Sequence, residues 1–182
     1  MFELNRRTPI TPQELQKASG GLVRDIEAFV IGTTRASGTP ASLIEGAWEL
    51  TRHTTDWLRW GLSGMPMTGD QIAAHADAAA HWLRTEGWNP SDAACRGIYA
   101  AVRHAEHTDP SHRFSTDTRD TLTRIFSLLI RTLTGAPHAY YDSWDQHPAR
   151  RPEEAFGLLA AAAVFARTYG PATEAEAGPA AA

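Results

Sequence analysis

Signals that start and end helices recur along the chain, and each precedes apolar residues at helical spacing. Thr11, Pro12 and Glu14 form a capping box with a proline in the first turn, and Thr68 with Gln71 forms a second box. Apolar residues then recur every three or four positions, whereas no segment sustains the period of two that is typical of a strand. The sequence therefore predicts an all-α protein.

The spacing of these signals predicts a single-domain bundle of five to six helices. The predicted helices cover about residues 11–31, 40–62, 69–86, 91–105, 116–133 and 152–169. Residues 1–10 are predicted to be a polar leader, residues 11–170 the helical domain, and residues 171–182 a disordered tail rich in Ala and Glu. The helix at 116–133 has the most apolar face, which places it at the centre of the bundle.

Composition narrows the classes of function. A net charge of −4 argues against broad nucleic-acid binding, which needs many basic contacts to phosphate. No apolar run reaches the roughly 20 residues of a membrane span, and the N-terminus lacks the apolar region of a signal peptide, so the sequence predicts a cytoplasmic protein. The single cysteine, Cys95, excludes an internal disulfide, and we expect it on the apolar stripe of the fourth helix.

Histidines on the third and fourth helices raise the hypothesis of a divalent transition-metal site and a metal-dependent bundle enzyme. The candidate ligands are His75 and His81 on one helix and His104 and His107 on the next. Metal sites in bundles are built from such side chains on facing helices. No specific metal signature such as H-E-x-x-H is present, so the favoured interpretation is a protein without a cofactor.

The six tryptophans are a more unusual feature of this sequence than the histidines. Trp57 and Trp60 lie close together before a Gly-rich segment. Packing in the core is the favoured interpretation for most of the tryptophans, and the alternative is an exposed apolar patch at Trp57 and Trp60 for a protein partner or a ligand. The connection at 140–151 adds further candidates for partner contact, namely Trp144, His147, Arg150 and Arg151. Within it, Trp144 is expected to anchor the connection to the bundle, and Asp142 or Asp145 to pair with an arginine or to cap the last helix.

DNA binding is an alternative. A short Gly87 turn between the third and fourth helices is compatible with a helix-turn-helix. The following helix offers few basic contacts, among them Arg96 and Arg103, and the chain is acidic, so nucleic acid is not the favoured partner.

Three short elements resemble the uncharacterised family DUF6197 over about residues 70–170. The first is Gly87-Trp88. The remaining matching residues are Cys95, Gly97, Ile98 and Ala101, then Trp144, Asp145, Pro148, Arg150 and Glu154. The resemblance implies an actinobacterial or phage source, in line with basic residues that are nearly all arginine, and it implies no reaction. A threonine and a valine of the family pattern are replaced here by Arg151 and Ala155.

A weaker similarity to DinB-like four-helix metalloproteins supports only the metal alternative. The leading hypothesis from the sequence is a small non-enzymatic helical protein that binds a protein partner, as an accessory protein of an actinobacterium or a mobile element.

Overall fold

The computed structural model describes residues 40–91, 94–111 and 113–172. In these residues the chain forms six α-helices, one 3-10 turn at Asp56–Leu58 and no strand, which confirms the all-α class. The helices are α1 Pro40–Glu49, α2 Gly69–Glu86, α3 Ile98–Thr108, α4 Thr116–Thr134, α5 Tyr141–Asp145 and α6 Pro152–Tyr169. The predicted leader, the predicted helix at 11–31 and residues 173–182 lie outside the described residues.

Local signals explain where α2 begins and ends. The Thr68 hydroxyl accepts a hydrogen bond from the Gln71 backbone N–H at 3.1 Å, and the Gln71 side chain accepts one from the Thr68 N–H at 2.9 Å. This reciprocal pair satisfies two donors that a helix start leaves open. Gly87, at φ 79°, ends the helix through its N–H to the Leu83 carbonyl.

Helix α2 packs mainly on α6 and then on α3, while α4 contacts α1, α2 and α6. Small residues make the close approach of α2 and α6 possible: a Cβ on Gly69 would lie 2.3 Å from the Ala166 carbonyl oxygen. Pro171 is buried, and its carbonyl oxygen accepts a hydrogen bond from the Gly69 N–H at 2.8 Å. The α4 residues Leu122, Ile125, Phe126 and Leu129 are fully buried, so the predicted central position of this helix is correct.

The prediction that the second helix continues to residue 62 is wrong, because α1 ends at Glu49. Thr51 and Thr54 direct their hydroxyls to each other's backbone carbonyls, and the Thr54 N–H donates to the Thr51 carbonyl in a turn. Such local side-chain bonds compete with the helical ladder. Trp57 and Leu58 consequently lie on the 3-10 turn.

The predicted start of the fourth helix at Ser91 is also wrong, because α3 begins at Ile98. Asn89 and Arg96 exchange two backbone hydrogen bonds of 2.9 Å, which holds the preceding segment as a loop. Cys95 has a left-handed φ of 49° and is exposed, so it does not belong to the apolar stripe of a helix. The junction after Gly87 is therefore not the short turn of a helix-turn-helix.

No helix within the described parts of the chain has the length and apolar character needed to cross a membrane.

Candidate functional site

Residues 60–66, here called the Leu62 loop, form a compact turn before α2. Trp60 and Pro66 pair as an antiparallel bridge at its base. Across the loop, the Gly61 N–H donates to the Met65 carbonyl at 3.0 Å and the Gly64 N–H to the Gly61 carbonyl at 2.9 Å. Gly64 has a φ of 78°, which a residue with a side chain rarely adopts. The backbone of the loop is therefore held in one shape by its own hydrogen bonds.

A carboxylate of α4 fixes the loop to the bundle. Asp117, which is buried, accepts hydrogen bonds from the Ser63 N–H at 3.1 Å and from the Ser63 hydroxyl. The contact is close, since a Cβ on Gly61 would lie 2.1 Å from the Asp117 Cγ. Asp117 also lies in the first turn of α4, where negative charge favours the helix. One side chain thus stabilises both the helix start and the loop.

The loop displays two large apolar side chains to solvent. Leu62 is 89% exposed and Met65 is 63% exposed. Arg59, next to the loop in the chain, is exposed and has no carboxylate within ion-pair distance among the residues that the structure describes. Leu62 and Met65 thus form an apolar protrusion with an arginine beside it in the chain.

Trp57, before the loop, and Trp60, its first residue, are both half-buried. The Trp57 indole N–H donates to the Thr51 hydroxyl at 2.9 Å, and the Arg124 guanidinium lies 4.4 Å from the Trp57 ring centroid. These contacts give Trp57 a packing role that joins the loop region to α4. A partner contact at Trp57 and Trp60 stays a prediction, and the most exposed apolar side chains of this segment are Leu62 and Met65.

Trp144 and Arg150 pack within the connection before α6. Trp144 is buried in the core, as predicted for the anchor of this connection. Arg150 lies 4.2 Å from the Trp144 ring centroid, donates to the Trp144 carbonyl at 3.1 Å and reaches Glu154 at 3.0 Å. Burial lowers the pKa of Arg150, although the charge of Glu154 opposes this shift. His147 and Arg151 are exposed.

Asp145 takes a role different from the expected one. Its carboxylate accepts hydrogen bonds from the Trp88 indole N–H at 2.8 Å and from the Ile98 backbone N–H at 2.7 Å, so it caps α3 and not α6. Burial raises the pKa of Asp145, and the two hydrogen bonds oppose the shift. Gly97 is required beside it, because a Cβ there would lie 2.4 Å from Asp145 Oδ2. At α6, Glu154 instead accepts a hydrogen bond from the Arg151 backbone N–H at 2.9 Å.

His75 is fully buried between α2, α3 and α4. Its Nε2 lies 2.9 Å from the Val102 carbonyl oxygen and its Nδ1 lies 2.8 Å from the Thr118 hydroxyl, while the ring stacks on Phe114. Since a carbonyl oxygen only accepts, Nε2 carries a proton. Burial lowers the pKa of His75. With both ring nitrogens engaged by protein groups, His75 is not placed to bind a metal ion.

The other three predicted metal ligands, His81, His104 and His107, are exposed. His104 stacks on Trp82 with ring centroids 4.7 Å apart, and His107 Nδ1 donates to the Arg103 carbonyl at 2.7 Å. His81 and His104 border a shallow cavity of about 350 Å³, and His104 and His107 border a larger groove. Within the described ranges no three His, Cys, Asp or Glu side chains are grouped as a metal site requires.

The larger groove has a volume of about 590 Å³ and lies between the loop before α3, the exposed side of α3, and α5. Trp82 of α2 closes one end. Asp145 and Gly97 both line it, so the hydrogen bonds that cap α3 also fix the position of this groove. Volumes of this order are typical of small-molecule sites.

Sequence reasoning missed Leu62, Met65 and the groove. A local signal for the loop was present, since Leu62 and Met65 stand beside Gly61 and Gly64, but the second helix was predicted to run through Leu62. The groove had no such signal, because its walls come from separate parts of the chain.

The sequence model of DUF6197, a family of unknown function, matches residues 67–165, and the chain belongs to this family. No curated protein matches the chain. No solved structure matches it either. The matched range contains the Trp88, Gly97 and Asp145 cluster and ends before the last turn of α6, whereas the Leu62 loop precedes it.

Proposed function

We propose that this member of the DUF6197 family is a protein-binding module and that the Leu62 loop is the centre of its contact with the partner. One observation carries the proposal: an apolar side chain is exposed on a loop of fixed shape. Leu62 is 89% exposed, and the backbone of its loop forms hydrogen bonds within the loop and to Asp117.

Fixation matters because a partner then gains the burial of Leu62 and Met65 without ordering the loop. Complete burial of such a side chain contributes about 1.5–3 kcal/mol. Ordering a flexible loop on binding costs a comparable amount, which a preorganised loop avoids. Among the residues that the structure describes, no packing contact buries these two side chains, and their exposure on a fixed loop supports a role in binding another protein.

The charges beside the loop indicate the chemistry of the partner. Arg59 precedes the loop in the chain and Arg124 lies on the Trp57 ring three residues before it, and neither has a carboxylate partner in the described residues. A complementary protein surface is an apolar pocket that receives Leu62 and has Asp or Glu at its rim. Rim charges of this kind mainly accelerate association and select the partner.

The proposed setting is the cytoplasm of an actinobacterium, and the gene belongs to the bacterium itself or to its phage or plasmid. The protein has an accessory and non-enzymatic role there. The arginine-rich, nearly lysine-free composition supports this setting. Gene neighbourhood tests it, since genes of a mobile element beside this one are expected.

Photo-crosslinking in the source cells tests the binding site. A photoreactive phenylalanine analogue replaces Leu62 in one variant and exposed Thr85, in the last turn of α2 and so at the opposite end of that helix from the loop, in a control. We expect a discrete crosslinked protein from position 62 that is missing from position 85. That protein, once purified, must bind the wild type directly and bind Leu62→Asp at least about ten-fold more weakly. Equal crosslinking at both positions, or equal affinity for both proteins, would refute the proposal.

A further inference from the structure

The groove between α3 and α5 has walls of opposite charge. Arg103, His104 and His107 line it from α3, and Asp142 lines it from α5. Asp145, the second acid of the groove, is already occupied by Trp88 and the Ile98 N–H. Among the described lining residues, the charged groups that remain for a ligand are therefore the Arg103 guanidinium on one side and the Asp142 carboxylate on the other.

Arg103 and Asp142 are exposed, and neither forms an ion pair with another residue of the described chain. Although both border one groove, they are not within the 4.0 Å of a salt bridge with each other. His107 adds a polar atom to the basic wall: its Nδ1 donates to the Arg103 carbonyl, which directs the other ring nitrogen away from that bond. A ligand that fits between these two opposite charges carries one negative and one positive group of its own.

The apolar part of the groove is flat. Trp82 and His104 stack with ring centroids 4.7 Å apart and planes 23° from parallel, and Tyr99 adds a further aromatic side chain. Aromatic walls of this kind favour a planar or apolar group by stacking and burial. One face of a ligand can thus lie on the rings while its charged groups reach the two walls.

The groove is formed before any ligand arrives. Asp145 fixes the start of α3 relative to α5, and Gly97 leaves the space for that carboxylate. Arg96 donates from its guanidinium to the Glu86 carbonyl at 2.9 Å, which holds the intervening loop against the end of α2. A preformed site loses little free energy to reorganisation on binding.

From this arrangement we propose that the groove binds a zwitterionic small molecule of the amino-acid type with an aromatic side chain. Arg103 binds the carboxylate of the ligand, Asp142 binds its ammonium group, and the Trp82–His104 pair contacts its ring. This site is separate from the Leu62 loop and does not depend on the protein partner proposed above.

Matched probes test the charge requirement. L-tryptophan and L-phenylalanine carry both charges, indole-3-propionate carries only the carboxylate, and tryptamine carries only the ammonium group. Titrations of the full chain are followed by calorimetry and by the NMR signal of the Trp82 indole N–H. We expect at least one of the two amino acids to bind with a Kd of about 1 mM or tighter. Each singly charged probe is expected to bind about ten-fold more weakly.

Surface variants assign the two contacts. Arg103→Gln and Asp142→Asn are each expected to weaken binding of the amino acid about ten-fold. Arg52→Gln and Asp70→Asn, which change exposed charges outside the groove, are expected to leave it unchanged. The proposal is overturned when neither amino acid gives a saturable shift of the Trp82 signal, when a singly charged probe binds as tightly as L-tryptophan, or when both groove variants retain full affinity.

Discussion

The indole N–H of Trp88 donates a hydrogen bond of 2.8 Å to the carboxylate of Asp145, and through it the loop after α2 is joined to α5. The same carboxylate caps α3 through the Ile98 N–H. All three family elements noted in the sequence therefore have members in one packed region, since Gly97 touches Asp145 and Trp88 bonds to it. In this chain, these residues join the loop after α2, the start of α3 and α5.

Replacing Asp145 by Ala is expected to lower the free energy of unfolding by about 2–4 kcal/mol, because the indole N–H of half-buried Trp88 and the buried Ile98 backbone N–H both lose their acceptor. Urea denaturation measures the change. Asp142→Asn, an exposed neighbour on α5, serves as the control and should change stability by no more than about 0.5 kcal/mol. A loss for Asp145→Ala as small as that of the control would contradict the assigned cap.

Replacing Arg150 is expected to lower the free energy of unfolding by more than its half-buried position suggests. Glu154 is only 1% exposed and accepts a hydrogen bond from the Arg150 guanidinium, so Arg150→Met leaves a buried carboxylate without its counter-charge. The expected loss is about 3–5 kcal/mol, and the double variant Arg150→Met with Glu154→Gln should recover part of it. Arg151→Met, on the exposed adjacent residue, is the matched control in the same chemical denaturation experiment. Equal effects of the two methionine substitutions on stability would show that the Arg150–Glu154 pair does not stabilise the fold.

Acidification is expected to weaken the fold through His75. Burial holds the pKa of His75 below the 6.5 of the unfolded chain, so between these two values the unfolded state binds more protons and stability rises with pH. Stability is therefore lost as the pH falls from about 6.5 towards the folded-state pKa. Charged groups around the ring act in both directions, with Glu106 and Asp109 raising the pKa and Arg119 lowering it.

The variant His75→Gln tests this assignment by urea denaturation at several pH values. It should be less stable at neutral pH and should lose less additional stability on acidification than the wild type. His81→Gln, on the exposed side of the same helix, should follow the wild-type profile. An unchanged pH profile in His75→Gln would assign the acid sensitivity to other groups.

Loss of the Asp117 carboxylate is expected to release the Leu62 loop without unfolding the bundle. In Asp117→Ala the Ser63 N–H loses its acceptor, so hydrogen exchange at residue 63 should accelerate by about ten-fold or more. Asp70→Ala removes an acid from the first turn of α2 and controls for the effect of charge at a helix start. Exchange at residue 63 that is equally slow in both variants would show that the loop is held by its internal hydrogen bonds alone.

Helix boundaries were predictable where the signal is local. Thr68 with Gln71, Gly87 and Gly135 mark helix ends through residues three or four positions away, and the structure has α2 and α4 within one residue of their predicted bounds. The start of α3 could not be found in this way. Its cap comes from Asp145, which is distant in sequence, and the bridge between Asn89 and Arg96 keeps the preceding residues out of the helix.

The candidate sites were harder to predict from the sequence, because they too depend on contacts between residues that are distant in the chain. Burial of His75 and packing of Arg150 depend on neighbours from other helices, so the sequence could not distinguish these residues from surface residues of the same type. The exposure of Leu62 follows from the early end of α1 and from the Asp117 contact, and the sequence was interpreted as a helix through this region.

The affinity of the crosslinked partner for the wild type, Leu62→Asp and Arg59→Glu is the most direct test of the proposed function. The account predicts that Leu62→Asp weakens binding at least about ten-fold, mainly through faster dissociation. It also predicts that Arg59→Glu associates more slowly than the wild type, and that added salt removes this difference in association rate. Unfolding curves equal to that of the wild type must accompany both results. A partner that binds all three folded proteins with the same Kd would contradict the assignment of the Leu62 loop as the binding surface.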